Sequence, residues 1–416
     1  MRWFLCVAFL MLVPACAPVN GGVTGPPGDV PGPGPGPGEP PSDTHVDATG
    51  GVDVLPGPLE ITGVVAAGNP ANVFSYYVVW RTDVPATTGL DVDCGDYTAS
   101  VDGPGLRTDH EVFVMGLYPE AECVFTLRSV SADGRLGEAE EAVIVQPRPE
   151  ILPLLEVTVD GGDAVQPGWT LFNLTNKYGG VPPIAAAVDA QGRYRWYHVR
   201  AASATGSGTP VLAVPGGILI GGSNDGGVIW PALIDWEGRV VWEEELDMHH
   251  EILPWAGGEE LLYLGSTETC PAEIPDSSTI VRYDPDTQEV IWEWAFCEHF
   301  TPDEIVKDWD HTNAVTRFPD EDAWLISAKK QNGLFKVDPG TGEVLWRLGK
   351  GGDFVRTDGG TAIPFLRQHA PEFVGPDEVL LFDNGKETVR EKSGAVQIRF
   401  DEEAMTYGVT WSWYPD

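Results

Sequence analysis

The sequence predicts an all-β protein, with a β-propeller in its larger C-terminal part and a smaller β-domain before it. Three observations lead there. Among 416 residues, 50 are glycine, 36 proline and 15 tryptophan, and no heptad or long helical period appears, a balance that suits many short strands joined by turns. A phrase of hydrophobic strand, aspartate, turn and strand ending in tryptophan recurs five times from Val188 onward. A second phrase, two strands around a short turn, alternates with the first.

The N-terminus comes first. Met1-Arg2-Trp3 precedes an apolar stretch from Phe4 to Val13 and then Pro14-Ala15-Cys16. A basic start, a short apolar core and a small residue before cysteine is an export signal, and the core is too short to span a bilayer as a mature helix. Val13-Pro14-Ala15-Cys16 is similar to a bacterial lipobox, so residues 1–16 are expected to be a lipoprotein signal peptide with Cys16 lipidated; Pro14 is not the usual residue there, and plain cleavage by a signal peptidase is the alternative. Residues 17–58 are rich in proline and glycine and cannot bury a core. They would form an extended tether holding the folded part off the membrane. Ala17 is not the aspartate of an inner-membrane retention signal, so the expected place is the outer membrane, facing the periplasm or the cell surface.

Export decides the cysteine reading. Outside the signal and its lipobox, Cys94, Cys123, Cys270 and Cys297 remain, and an even number in an oxidising compartment implies disulfides. Proximity within each domain predicts Cys94–Cys123 and Cys270–Cys297. Zinc is the weaker alternative, because no CxxC pair exists.

Residues 59–148 alternate apolar and polar side chains in short runs, as in Phe74 to Trp80, Glu111 to Leu117 and Cys123 to Val130. This predicts a small β-sandwich. Gly116-Leu117-Tyr118-Pro119-Glu120, with the strand and turn that follow, resembles a fibronectin type III domain, in the role of a spacer or a lid support.

Residues 149–416 carry the propeller. Copies of the tryptophan phrase run from Val188-Asp189 to Trp196, Ile234-Asp235 to Trp242, Tyr283-Asp284 to Trp292, Val337-Asp338 to Trp346 and Phe400-Asp401 to Trp411. Their aspartates lie 46, 49, 54 and 63 residues apart, a period that fits four-stranded blades with insertions growing along the chain. A blade cannot bury its faces alone, so each tryptophan is expected to pack between neighbours. The chain ends directly after the fifth copy, which predicts a last blade lacking its partner hairpin, to be completed by N-terminal strands or else left short by a truncated sequence.

The alternating hairpins read Thr209 to Ile220, His250 to Gly265, His311 to Ala328 and His369 to Asp383. Three of the four open on histidine in the same phase. Equivalent positions in a propeller lie at one end of the central channel, so His250, His311 and His369 should converge. Three convergent imidazoles suit a zinc or copper site, or an anion site with a nucleophilic or acid–base histidine. Asn313 follows His311 by two residues, on the same face of an ideal strand, and Lys329 lies on the returning strand. Cations oppose a metal and suit an anionic substrate, so no metal and no cofactor is expected.

These residues carry a family resemblance. His249-His250-Glu251, Asp308-Trp309-Asp310-His311-Thr312-Asn313, Ser327 to Gln331, Gln368-His369 and Phe382-Asp383-Asn384-Gly385 together resemble bacterial aryl-sulfate sulfotransferases. The resemblance runs from about residue 60 and implies a six-bladed propeller behind a small β-domain. It implies transfer of a sulfuryl group from a phenolic sulfate ester to a phenol by a ping-pong route through a sulfohistidine, with no nucleotide. Carried over, His369 is the nucleophile, His311 the acid–base group, and His250 and Asn313 hold sulfuryl oxygens, with Thr312 and His249 alongside. His249 is the alternative equivalent of His250; the internal repeat favours His250. Lys329 stands where the family has arginine, which keeps the charge without the planar fork. Lys330 is expected on the other strand face.

Two rival readings stand beside this one. Asp338 to Trp346 resembles the tryptophan-docking repeats of quinoprotein propellers, but that accounts for blade packing and not for the histidines, and no vicinal disulfide or calcium-site signature accompanies it. A binding or scaffold lipoprotein with a decayed site is the other. The net charge of −38 argues against nucleic acid and anionic membrane surfaces, since it repels phosphates. The implied partners are a small aryl sulfate donor and a phenolic acceptor, with membrane contact through the lipid anchor only. Nothing in the sequence speaks to oligomeric state.

Overall fold

The computed structural model describes residues 11–13, 57–157, 167–174, 184–200, 211–221, 231–255, 260–266, 270–271, 274, 277–301, 308–386 and 389–415. Cys16 and nearly all of the proline- and glycine-rich segment lie outside them. The described residues fall into two compact units, one of residues 57–68 and 75–147, the other of residues 11–13, 69–74 and 148–415.

The smaller unit is built from β2 (Ile61–Gly68), β3 (Tyr76–Asp93), β4 (Thr98–Val114), β5 (Glu122–Val130) and β6 (Leu136–Ile144). The long β3 organises it: its first half pairs with β2, its second half with β5, and β4 runs beside both. The β3–β4 register shifts twice around Ala86. The sheet curls there, so that Trp80 on the first half donates its indole hydrogen to Ser129 on β5. Alternation along β3 buries Tyr76, Val78 and Trp80 on one face, and the second half contributes Leu90 and Val92. Cys94 and Cys123 form the expected disulfide at one end.

Among the described residues the larger unit contains five propeller sheets. The first combines β7 (Trp169–Leu174), β8 (Ile184–Val188) and β9 (Tyr194–Val199) with β1 (Met11–Val13), from the N-terminal apolar stretch, paired to β7. The second holds β10 (Val211–Val214), β11 (Gly217–Ile220), β12 (Ala232–Asp235) and β13 (Val240–Glu243). The third holds β14 (Met248–Trp255), β15 (Glu260–Ser266), β16 (Ser278–Asp284) and β17 (Glu289–Ala295), followed by the single-turn α1 (Phe296–His299). The fourth holds β18 (Thr312–Arg317), β19 (Trp324–Ala328), β20 (Gly333–Val337) and β21 (Val344–Gly349). The fifth holds β23 (His369–Gly375), β24 (Glu378–Asp383), β25 (Gly394–Asp401) and β26 (Thr406–Trp413), with β22 (Val355–Arg356) parallel to β26.

This topology corrects one expectation. The fifth tryptophan phrase, β25–β26, is paired with the hairpin β23–β24 that precedes it, so the last sheet has its full set of strands. Each repeat begins at the hairpin and closes on the tryptophan phrase, and counting from the tryptophan phrase sets the boundary half a blade too late.

Tryptophans of the phrase do join neighbours. Trp196 donates its indole hydrogen to the Trp236 carbonyl in the next sheet's turn, and Trp242 packs on the cluster of Leu261, Tyr263 and Tyr283. Trp292 meets Trp324 edge-on, and Trp346 lies against Phe400. Trp411, in the last sheet, is 48% exposed. The apolar cores lie between successive sheets, as for Leu325, Leu334 and Trp346 against Val379, Ile398 and Phe400.

Cys270 and Cys297 form the second expected disulfide, closing a separation of 27 residues. Replacing both by serine should lower unfolding free energy by about 3 kcal/mol through the freed chain entropy, read as a lower urea midpoint. An unchanged midpoint would show that the bridge constrains nothing.

Candidate functional site

β14, β18 and β23 are the first strands of three consecutive sheets, with β14 against β18 and β18 against β23. Each brings its histidine at the start of the hairpin: His250 within β14, His311 just before β18, and His369 as the first residue of β23. The backbone leaves regular strand geometry at the same point in all three. His250 and His311 have left-handed φ of 57° and 47°, and His369 is flanked by Arg367 and Ala370 at 53° and 43°. Pairing slips there too, between Met248 and Ile252, Thr312 and Ala314, and His369 and Glu372. A bulge turns one side chain out of the alternation, and here it turns three imidazoles toward one volume.

One ring nitrogen from each of His250, His311 and His369 lies within 4.8 Å of the others. Ring centroids stand 5.1 Å apart for His250 and His311, 6.0 Å for His250 and His369, and 6.4 Å for His311 and His369. His249 stays outside this trio; its Nδ1 meets His250 Nδ1 at 3.0 Å, so one of the two carries the hydrogen. The trio therefore contains His250 and not His249.

Each imidazole is held on its far side. His311 Nδ1 lies 2.5 Å from Asp308 Oδ2, and His311 Nε2 lies 3.2 Å from Lys329 Nζ. His369 Nδ1 lies 2.6 Å from Asn384 Nδ2, which can only donate, and 3.2 Å from the Arg367 carbonyl, which can only accept. When Nδ1–H is given to that carbonyl, Nε2 keeps its lone pair; when Nδ1 accepts from Asn384, the hydrogen sits on Nε2.

Burial is the main electrostatic force on the cluster. It lowers His250 to about 2, helped by His249, His311, His369 and Lys329. It lowers His369 to about 4, with Lys329 the next cause. Burial also lowers His249 and the Lys329 ammonium. Glu251, beside His250, is pushed up by burial and by Glu372 to about 8.

The other expected residues take scaffold positions. Thr312 is buried and its hydroxyl donates to Asp310 Oδ1. Asn313 is buried, donates Nδ2 to the Gln368 carbonyl at 2.7 Å, and leaves Oδ1 without a partner among the described residues. Lys330, expected on the opposite face, instead pairs with Asp308 at 3.1 Å. β19 ends at Ala328, and the alternation that governs a strand does not extend into the turn where Lys330 sits.

Two residues fix the frame. Asp310 is fully buried and accepts from Ser277 Oγ at 2.7 Å, Ser278 Oγ at 2.7 Å, the Ser278 backbone at 3.1 Å and the Thr312 backbone at 2.9 Å. Gln368, also fully buried, spends Nε2 on Ser327 Oγ and on the Ala328 and Gly333 carbonyls. Each stands one residue before a histidine and reaches into the preceding sheet. The sequence reading gave Asp308, Asn384 and Arg367 no role. A carboxylate three residues before a histidine was the available signal for the first.

Three neutral imidazoles at this spacing could share a cation. A metal would have to displace the Lys329 ammonium from His311 Nε2, and that lysine favours an anion in the same place.

No curated protein matches the chain. Among solved structures, a protein of unknown function from Bacteroides caccae is 11% identical at a TM-score of 0.37, covering 79% of this chain and 94% of the other. A putative 6-phosphogluconolactonase from Bacteroides fragilis is 10% identical at 0.38, covering 79% and 82%. A streptogramin B lyase is 14% identical at 0.34, covering 73% and 84%. The sequence profile of one family, Arylsulfotransferase (ASST), matches residues 168–415.

Asp310→Ala removes the acceptor shared by Ser277, Ser278 and Thr312. It should cost about 3 kcal/mol, the scale of two or three buried donors left unpaired, read by urea unfolding. Thr312→Val, which loses one of these contacts, should cost about 1 kcal/mol. Equal stability of Asp310→Ala and the parent would remove Asp310 from its place as the anchor.

Proposed function

The chain belongs to the arylsulfotransferase family, and from that premise we propose that it moves a sulfuryl group from an aryl sulfate ester to a phenol through a sulfohistidine on His369. The observation that carries this reading is the convergence of three imidazoles around a half-buried lysine, with His369 held by its Nδ1 side.

In the first half-reaction the His369 Nε2 lone pair attacks sulfur, the N–S bond forms and the ester S–O bond breaks. One proton sits between Lys329 Nζ and His311 Nε2, and it passes to the departing phenolate oxygen. In the second half-reaction the acceptor phenol attacks sulfur, the N–S bond breaks, and the phenolic proton returns to His311. His250 is neutral across the working range and supplies an N–H to a sulfuryl oxygen, while Lys329 supplies charge. Burial serves the nucleophile, because a neutral His369 retains the lone pair that a protonated ring would lose.

We also place this activity outside the cytoplasm, with Cys16 as the lipid attachment point; cleavage before Cys16 would remove β1 from the first sheet. Two disulfides and the signal-like N-terminus support that placement. A decayed, purely binding propeller is the rival, and the same assay separates the two.

Purified protein given p-nitrophenyl sulfate and a phenol, without any nucleotide, should release nitrophenol and sulfate the acceptor. His369→Ala should abolish both, and release unchanged in that variant would sink the mechanism. Without acceptor, a transferase stalls after one turnover, a hydrolase continues and an inert binder releases nothing.

The pH dependence follows from His369. With its value lowered to about 4, the nucleophile is lost only as pH falls through that region. The acid limb of kcat/KM for the donor should therefore have its midpoint near 4. A midpoint near the ordinary histidine value would contradict the burial argument.

A further inference from the structure

Asp308 is a carboxylate in direct contact with the histidine cluster, and the proposed transfer gives it no role. It stands three residues before His311, across a backbone that turns left-handed at both ends, with φ of 56° at Asp308 and 47° at His311. Its Oδ2 is 2.5 Å from His311 Nδ1 and 3.1 Å from Lys330 Nζ. Burial pushes this carboxyl up, but the bonds with His311 and Lys330 outweigh it and leave the group below its ordinary value. Asp308 is therefore an ionised acceptor, and a carboxylate can only accept.

We propose that Asp308 is a positioning residue that fixes His311 in the Nδ1–H tautomer, so that Nε2 is the atom exchanging the proton with Lys329 and substrate. Asp308 touches neither substrate nor sulfur; it acts through His311, and Lys330 keeps it in place. The four groups form one line, Lys330 to Asp308 to His311 to Lys329, in which each hydrogen has a defined acceptor. A plain ion pair latching the segment before β18 would account for Asp308 and Lys330. It would not require the shorter contact to be the one with His311. The catalytic consequence rests on the reading of His311 as the acid–base group, whereas the tautomer itself does not.

The test uses the full chain with 15N-labelled histidine. In the parent protein, two-bond proton–nitrogen spectra should assign His311 to the Nδ1–H form. Asp308→Asn is isosteric, and its amide can give a hydrogen to Nδ1, so His311 should switch toward Nε2–H. Its kcat for sulfuryl transfer should fall about 100-fold, the scale of a disabled acid–base group, with donor KM changed less than about two-fold. Asp308→Ala should lose as much, and added formate should restore part of it by refilling the carboxylate's place. The parental tautomer retained in Asp308→Asn would overturn the proposal, and so would parental kcat in both variants. If the parent protein transfers no sulfuryl group, the functional reading fails, and the tautomer measurement still decides the role of Asp308.

Discussion

The site depends on one arrangement used twice: a buried polar side chain directly before a histidine, bonded into the preceding sheet. Asp310 does this for His311 through Ser277 and Ser278, and Gln368 does it for His369 through Ser327, Ala328 and Gly333. Both are fully buried, so their hydrogen bonds form away from competing water. Left-handed backbone at a residue other than glycine costs on the order of 1–3 kcal/mol, and it recurs at His250, Asp308, His311, Arg367 and Ala370. Such strain persists only where the surroundings over-determine it. At Arg367 the fixing is visible from both sides: its N–H goes to Asn332 Oδ1 and its carbonyl accepts from Asn384. The anchors hold the strand starts, the bulges aim the rings, and the rings then meet.

The sequence showed the repeat well and the aim of its side chains less well. Tryptophan phrases and hairpins that open on histidine are periodic features, and periodicity survives in a single chain. Phase along a strand is legible where the strand is regular. At His311 and Asn313 the two-residue alternation does not apply, because the register slips between Thr312 and Ala314, and a slip is a property of the partner strand β19 as much as of β18. Lys330 escapes the alternation for the same reason, as the strand ends at Ala328. Asp308 is not legible in the sequence because its contact with His311 depends on a left-handed turn, and neither residue belongs to a type that advertises one as glycine does.

The tryptophan phrase also stands half a blade out of phase with the sheets. Tryptophan is conspicuous, so the phrase it closes looks like the unit. The covalent order differs from the packing order. Trp196 donates to a carbonyl of the following sheet, and Trp346 packs on Phe400 of the following sheet, so the most visible residue of each blade belongs to a joint. The final copy follows from this: Trp411 remains half exposed at the end of the fifth sheet.

Charge and burial work against one another in the cluster, and the balance shapes its chemistry. A chain with 63 acidic and 25 basic side chains repels an anion at long range, yet salt screens that field within about 8 Å at physiological ionic strength. In the proposed transfer, recognition of the sulfuryl group is thus decided at contact distance, where Lys329 stands. There a protonated His369 would attract the anion and be unable to attack it. Burial removes that conflict by keeping His250 and His369 neutral, and it leaves Lys329 to carry the attraction. The same burial lowers Lys329, so its ammonium is held less firmly than a surface lysine's. An arginine there would hold its charge and could not give up a proton. A lysine 3.2 Å from His311 Nε2 can do both, which ties the strength of anion binding to the position of a single proton.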